Sequence, residues 1–376
     1  MKSYWVISDL TKRWFSANML SESYLARYKR ELDLVSIKLN QLTDVEAGAL
    51  IIFGDIHYDS AILKEVILDI PLSCHILFHL YGDSFTRLKF FEAHNDLLTG
   101  RKIKFVVGSK TSLAICQKIF ADKNSVCYAP FFVDYLKNDS LKKNKETRKK
   151  VKKICYFGRI SYFKNVHILI DLFRIFSRSH PEYELHIAGG IDNYRWKNNP
   201  SGSYFNYAGE VFSDALRDAQ NEGAKVFYHG ELSREKVSDF LMEMDMFISL
   251  GTCEEEDFGL AVIEALQHNL KVILTRWGGY REFESVKGVA LVDVKYKNKT
   301  LFIDENQLFN HILDAQDSSN HSMVNFNDLR KKQTIDYEDF IKFEGFQEAY
   351  RILKSTTFFN KEFFDHGEEF VSSMWL

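Results

Sequence analysis

Proline is scarce, with four residues in 376, so little in the chain interrupts long helical or extended stretches. Cysteine is scarce as well. Cys74, Cys116, Cys127, Cys155 and Cys253 are odd in number and form no C-x-x-C pair, which argues against a disulfide scaffold or zinc knuckle and for a reduced compartment. No uninterrupted apolar run approaches the roughly 18 residues that a spanning helix needs. The start, MKSYWVISDL, lacks the basic and apolar regions of a secretory signal. A cytoplasmic protein is expected, with peripheral contact at the inner face of an anionic membrane left open. Excess positive charge is missing too: 49 Lys and Arg against 52 Asp and Glu give −3, which disfavours a chain built to coat nucleic acid. There is no G-x-G-x-x-G, which disfavours hydride transfer on a dinucleotide, and no G-x-x-x-x-G-K-[ST], which disfavours P-loop hydrolysis. Nor is there a D-x-D triplet to hold a divalent metal against a diphosphate, so no metal is expected.

What is present is apolar: 45% hydrophobic residues, with 32 Phe and 18 Tyr, exclude disorder. At roughly 100 to 200 residues per domain, two domains are expected. Short apolar runs alternate with longer amphipathic stretches, beginning with residues 5–10 and continuing through LVSIKL, ALIIFGDI, CHILFHL and KFVVGS. Strands separated by helical crossovers predict doubly wound parallel sheets. The alternation breaks at residues 137–153, where nine Lys or Arg face only Asp139 and Glu146, and restarts with KICYFGRI, ELHIAGG, KVFYHG, DMFISLG, LKVILTRWGG and GVALVDV. This places a first domain at 1–150 with 137–153 as a basic linker, and a second domain at 151–330. The linker is a solvated charge block or a contact for anionic lipid. Beyond residue 300 the pattern reads as helical, including Tyr337 to Lys354.

The most informative segment is Ile248 to Phe283, which reads strand, acidic loop, helix, strand, glycine turn. Phe258, Val262, Ala265 and Leu266 line one helix face, and Gly259 at the helix start lets a ligand approach the backbone. Open amides at such a start favour phosphate. Glu256 and Glu264 flank this point. In an unbroken helix they would lie about 12 Å apart along the axis, wider than the roughly 5 to 9.5 Å of a glycosidase carboxylate pair. They suit the two ends of an elongated ligand with a diphosphate between. The structural alternatives are that Glu254 to Asp257 only complement the helix dipole and that Glu264 lies on an exposed face. A second anion site is expected in FGRISYFKN, where Arg159 and Lys164 follow the first strand of the second half, outside a strand's carboxyl end. A planar fork and a mobile point charge suit the two phosphates of a diphosphate, although such a pair in a loop can equally be solvated. Gly189-Gly190, Gly230 and Gly278-Gly279 mark three other strand ends of the same half.

With E-x7-E in EDFGLAVIE, G-R-I-x-x-x-K and the downstream GGYRE in this order, the sequence resembles retaining glycosyltransferases of family 4. The likeness is best over residues 103 to 290, which include VVGSK and YAPFFVD. It implies an α/β chain of the GT-B fold, two doubly wound Rossmann-like domains facing across a cleft, with 331–376 as a helical segment crossing back to the first. The implied activity is metal-independent transfer of a sugar, with retained configuration, to a hydroxyl of a glycan, lipid-linked or protein acceptor. The donor would be a nucleotide diphosphate sugar, UDP-sugar being favoured and GDP-sugar the alternative, with no further cofactor and no nucleic-acid partner. Glu264 would bind the donor ribose and Glu256 the transferred sugar. Gly259 and Leu260 would give amides to phosphate, and Arg159 and Lys164 would neutralise the leaving diphosphate. Phe258 and Gly189 would border the donor, and Gly230 to Leu232 would lie near the base.

In HLYGD, His79 would face the sugar carbon, unless it is an ordinary hydrogen-bonded histidine at a strand end. His57 is an acceptor-side candidate. The first loop, SDLTKRWFSAN, lacks the glycines common in the family, so Lys12, Arg13 and Trp14 would shape the acceptor site instead. The alternatives are a catalytically silent nucleotide-sugar or glycan-binding subunit and a phosphorylase or epimerase of the same fold.

Overall fold

The computed structural model describes residues 2–7, 21–22, 24–26, 28–29, 32–54, 60–80, 90–91, 93–120, 125–128, 152–191, 204–252, 259–297 and 300–317. These fall into two compact units, the first ending at Tyr128 and the second running from Lys152 to Asp317. Lys12, Arg13 and Trp14 lie outside the described residues, as do His57, most of the basic segment 137–153 and everything beyond Asp317.

The first unit holds strands β1 (Ser3–Ile7), β2 (Leu34–Lys38), β3 (Leu50–Phe53), β4 (His75–Leu80), β5 (Lys102–Val107) and β6 (Val126–Tyr128). They form one sheet in the order β2-β1-β3-β4-β5-β6, every pair parallel. The central strands β3 and β4 carry Leu, Ile and Phe on both faces because both faces are covered, and burying each such side chain contributes about 1.5–3 kcal/mol. The edge strand β2 differs. Its Val35 is exposed, as an edge strand covered on one side allows. Two helices of this unit are α1 (Ser60–Asp69) and α2 (Lys110–Ile119). Ser109 caps α2, its hydroxyl accepting from the Ser112 amide at 3.1 Å.

The second unit holds β7 (Lys153–Phe157), β8 (Glu184–Ala188), β9 (Val226–Tyr228), β10 (Met246–Ser249), β11 (Lys271–Thr275) and β12 (Val289–Val292), in the order β12-β11-β10-β7-β8-β9 and again all parallel. Counted from its own first strand this is 6-5-4-1-2-3, the classic dinucleotide-fold order, and its direction reverses between β7 and β10. Its helices are α3 (Val166–Ser177), α4 (Tyr204–Asn221), α5 (Arg234–Glu243), α6 (Leu260–Gln267) and α7 (Glu305–Asp317). In α3 the residues Val166, Leu169, Ile170, Phe173 and Phe176 recur at helical spacing and pack with Phe212 of α4 and with Ile154, Leu185 and Ile248 of the sheet.

Two sequence expectations need correction. The chain beyond residue 300 does not begin as helix: β13 (Val294–Lys297) and β14 (Thr300–Ile303) form an antiparallel hairpin before α7. Period-2 alternation over four residues is too short to stand out beside the helix that follows. In addition, α6 starts only at Leu260, after Gly259 in a left-handed conformation (φ +74°), so the helix that carries Glu264 does not run unbroken towards residue 256.

Candidate functional site

Ligands of open parallel sheets bind outside the carboxyl ends of the strands where strand order reverses. In the second unit that point lies between β7 and β10. The chain leaves β7 through Gly158 to Asn165, and this loop is stitched by main-chain bonds to the loops beside it. The Gly158 amide donates to Ala188 O at 3.0 Å, the Ile160 amide to Gly190 O at 2.9 Å and the Gly189 amide to Gly230 O at 2.8 Å. The hydroxyl of Tyr156 donates to Arg159 O and that of Tyr228 to Gly189 O, both at 2.8 Å. Only glycine fits at Gly189: its φ is +154°, and a Cβ there would sit 1.8 Å from Gly158 O. Gly189, one of the glycines predicted at strand ends, therefore lets the loops after β7 and β8 lie against one another.

On the other side of the switch point, β10 ends at Ser249 and runs into Leu250, Gly251 and Thr252. Asn165 joins this segment to the β7 loop. Its side-chain amide donates to Leu250 O at 2.8 Å and to Thr252 Oγ1 at 2.9 Å, while the Thr252 amide donates to Phe163 O at 2.9 Å. Asn165 itself has φ +53°, a left-handed conformation that asparagine tolerates, and it ends the 3-10 turn Tyr162–Lys164 where α3 begins.

Lys164 is half-buried and its stem passes Gly251: a Cβ on Gly251 would lie 3.6 Å from Lys164 Cδ and 3.5 Å from Tyr280 Oη. Tyr280, in the 3-10 turn Gly278–Phe283 after β11, is buried, and its hydroxyl pairs with Ser249 Oγ at 2.8 Å. Its ring also covers Gly259, where a Cβ would fall 2.7 Å from Tyr280 Cε1 and 2.9 Å from Val262 Cγ2. Lys164, Gly251, Tyr280 and Gly259 thus form one packed row. It leads from the β7 loop to the amino terminus of α6, where the Val262 amide donates to Gly259 O at 2.9 Å and the Leu260 and Ala261 amides have no carbonyl a turn earlier in the helix to bond.

In α6 the residues Val262, Ile263, Ala265 and Leu266 are buried, and Glu264 is half-buried between them. The Glu264 carbonyl accepts from His268 Nδ1 at 2.8 Å. A carbonyl can only accept, so Nδ1 carries a proton, and Nε2 pairs with the Ser238 hydroxyl 3.0 Å away. This fastens the end of α6 to α5.

The other sequence candidates are distributed as follows. Arg159 is exposed, while Gly189, Gly230, Leu232, Gly259 and Leu260 are half-buried. Glu256 and Phe258 lie outside the described residues. Gly278 and Gly279 are buried, with Glu282 half-buried beyond them.

His79, on β4 of the first unit, is 1% exposed and sits among Tyr24, Tyr28 and Trp5, with ring centroids 4.4, 5.7 and 6.2 Å away. Tyr28 Oη is 2.9 Å from its Nε2. Burial pushes its pKa down to about 3 and keeps the ring neutral. This is the environment of a hydrogen-bonded core histidine.

Tyr280, Ser249 and Asn165 were not picked out from the sequence. The signal for Asn165 was its place after Lys164 at a helix start, and for Tyr280 its place after a glycine pair.

Residues 137–300 match the family model described as glycosyl transferases group 1. Mannosylfructose-phosphate synthase of Agrobacterium fabrum is 27% identical over 161 residues, which are 43% of this chain and 33% of that protein. The pneumococcal O-GlcNAc transferase GtfA, solved in complex with UDP and GlcNAc, superposes with a TM-score of 0.52 at 14% identity, covering 89% of this chain and 58% of that one. The α,α-trehalose-phosphate synthase (UDP-forming) of Burkholderia xenovorans, in complex with glucose-6-phosphate, gives 0.56 at 10% identity, covering 83% and 76%. The chain therefore spans a third of the curated relative and somewhat over half of the pneumococcal protein. Its two parallel-sheet units give it the GT-B fold, and its second unit is similar in sequence to the group 1 glycosyl transferases.

Proposed function

We propose that the protein is a retaining glycosyltransferase that moves a sugar from a nucleotide diphosphate sugar, a UDP-sugar in first place, to a hydroxyl of a glycan, lipid-linked or protein acceptor. The observation that carries this reading is the packed row at the switch point of the second sheet. In it the Lys164 stem and the start of α6 lie on either side of the Tyr280 ring, at strand carboxyl ends, which supports a diphosphate being held there.

Glycosyl transfer passes through an oxocarbenium-like state, so stabilising the departing diphosphate is the largest task of the site. Lys164 would supply a charge on a braced stem, the amides from Leu260 onward would supply fixed dipoles, and Arg159 would reach in from the surface. Glu264 would take the ribose hydroxyls and Glu256 those of the transferred sugar. The neutral, enclosed ring of His79 supports a packing role better than contact with the sugar.

A thermal-shift screen of the full chain against UDP, GDP and ADP tests the reading. A ligand that binds only the folded state at a hundred times its Kd adds about 2.7 kcal/mol of stability. UDP or GDP is expected to raise the Tm, and the purified chain is expected to release that nucleotide from the matching sugar donor. A chain that binds none of the three would overturn the proposal. Binding without any release or transfer would favour the silent binding subunit.

A further inference from the structure

Lysine is a poor choice for holding a diphosphate in one place unless something fixes its stem, because four rotatable bonds separate the charge from the backbone. Here the stem of Lys164 and the ring of Tyr280 both border the space that a side chain at Gly251 would fill. The tyrosine is itself held. Its amide donates to Trp277 O at 3.0 Å, its hydroxyl pairs with Ser249 Oγ at 2.8 Å, and both residues are almost fully buried. The Cε1 edge of the ring rests on Gly259 and the Cε2 edge faces Gly251, so one rigid ring spans the gap between the Lys164 loop and the start of α6.

We infer that Tyr280 is a positioning residue that sets the distance and orientation between the Lys164 charge and the α6 amides, so that both grip the same diphosphate. The inference rests on the proposed function and adds to it a residue that touches neither nucleotide nor sugar. Its hydroxyl pins the ring and the ring is the spacer. Tyr280→Phe and Ser249→Ala loosen the pin and keep the spacer, whereas Tyr280→Leu removes both.

The test separates the diphosphate from the nucleoside. Calorimetric affinities of the full chain are measured for UDP against uridine, and for GDP against guanosine, and the ratio within each pair reports the grip on the diphosphate alone. Misplacement of a charge by a fraction of an ångström to 1 Å is expected to lower that ratio about tenfold in Tyr280→Leu, and about two- to threefold in Tyr280→Phe and Ser249→Ala. Nucleoside affinity should be unchanged in all three. Because Tyr280 acts through Lys164, adding Tyr280→Leu to Lys164→Ala should lower the ratio by less than about twofold more.

An unchanged ratio in Tyr280→Leu, or equal losses for nucleoside and nucleotide, overturns the positioning role while leaving the proposed function standing. A wild-type chain that binds UDP and GDP no better than the nucleosides overturns both. Should Tyr280→Leu fail to fold, Tyr280→Phe and Ser249→Ala decide: an unchanged ratio in both refutes the inference.

Discussion

Replacing Gly259 by alanine combines two costs that the structure separates. The backbone at Gly259 has φ +74°, a conformation that disfavours a side chain by about 1–2 kcal/mol. The added Cβ would also lie 2.7 Å from Tyr280 Cε1 and 2.9 Å from Val262 Cγ2, and both neighbours are buried, so neither can swing away. Forcing a methyl into such packing costs about 1–3 kcal/mol more, for a total of about 2–5 kcal/mol.

Gly223, which follows α4, supplies the control. Its φ is +85°, yet nothing lies within 4 Å of a Cβ built on it, so Gly223→Ala should cost only the backbone term of about 1–2 kcal/mol. Urea unfolding of both variants reads the difference directly. Nucleotide affinity should fall in Gly259→Ala, where the start of α6 must shift, and stay at the wild-type value in Gly223→Ala. Equal destabilisation by the two substitutions would refute the packing of Tyr280 on Gly259, and with it the row that joins Lys164 to α6.

Lys164→Ala and Glu264→Ala should each lower turnover about a hundredfold, equivalent to about 3 kcal/mol, with unfolding midpoints close to wild type; wild-type rates in either would contradict the assignment. Asn165→Ala should destabilise by about 2–4 kcal/mol, since it removes two buried hydrogen bonds and puts alanine at φ +53°. Asn165→Gly should recover only the backbone part, and full recovery would mean that the bonds to Leu250 and Thr252 contribute nothing. His79 should make the protein acid-sensitive. Its folded pKa is lowered to about 3 by burial, so its unfolded form binds the proton first, and stability is kept above about pH 6.5 and lost as the pH falls towards 3. Between pH 7 and 5 this amounts to about 2 kcal/mol at 1.36 kcal/mol per pKa unit. A His79→Gln variant whose stability falls as steeply over that range would refute the assignment.

Much of the second unit was legible in the sequence because its strands are short apolar runs closed by glycine. KICYFGRI, ELHIAGG and LKVILTRWGG each carry strand and turn signals within ten residues, and each is a strand followed by a loop. Gly259 was legible for the same reason, as the single glycine before an apolar helical pattern. What could not be read was the pairing of distant segments. Nothing local in GGYRE indicates that Tyr280 reaches Ser249, and nothing in KN indicates that Asn165 bonds Leu250 and Thr252, because both contacts depend on β7, β10 and β11 lying side by side. His79 shows the converse. Its position at a strand end suggested contact with a ligand, but the rings that enclose it come from β1 and from helical residues 24 and 28, far away in the chain.

The central claim is that a nucleoside diphosphate is held between Lys164 and the start of α6, and a crystal structure of the full chain grown with UDP or GDP tests it most directly. The account predicts a β-phosphate within hydrogen-bonding distance of Lys164 Nζ and of a main-chain amide in the first turn of α6, with the ribose near Glu264. A nucleotide bound elsewhere, or one whose phosphates point away from Lys164, would contradict it.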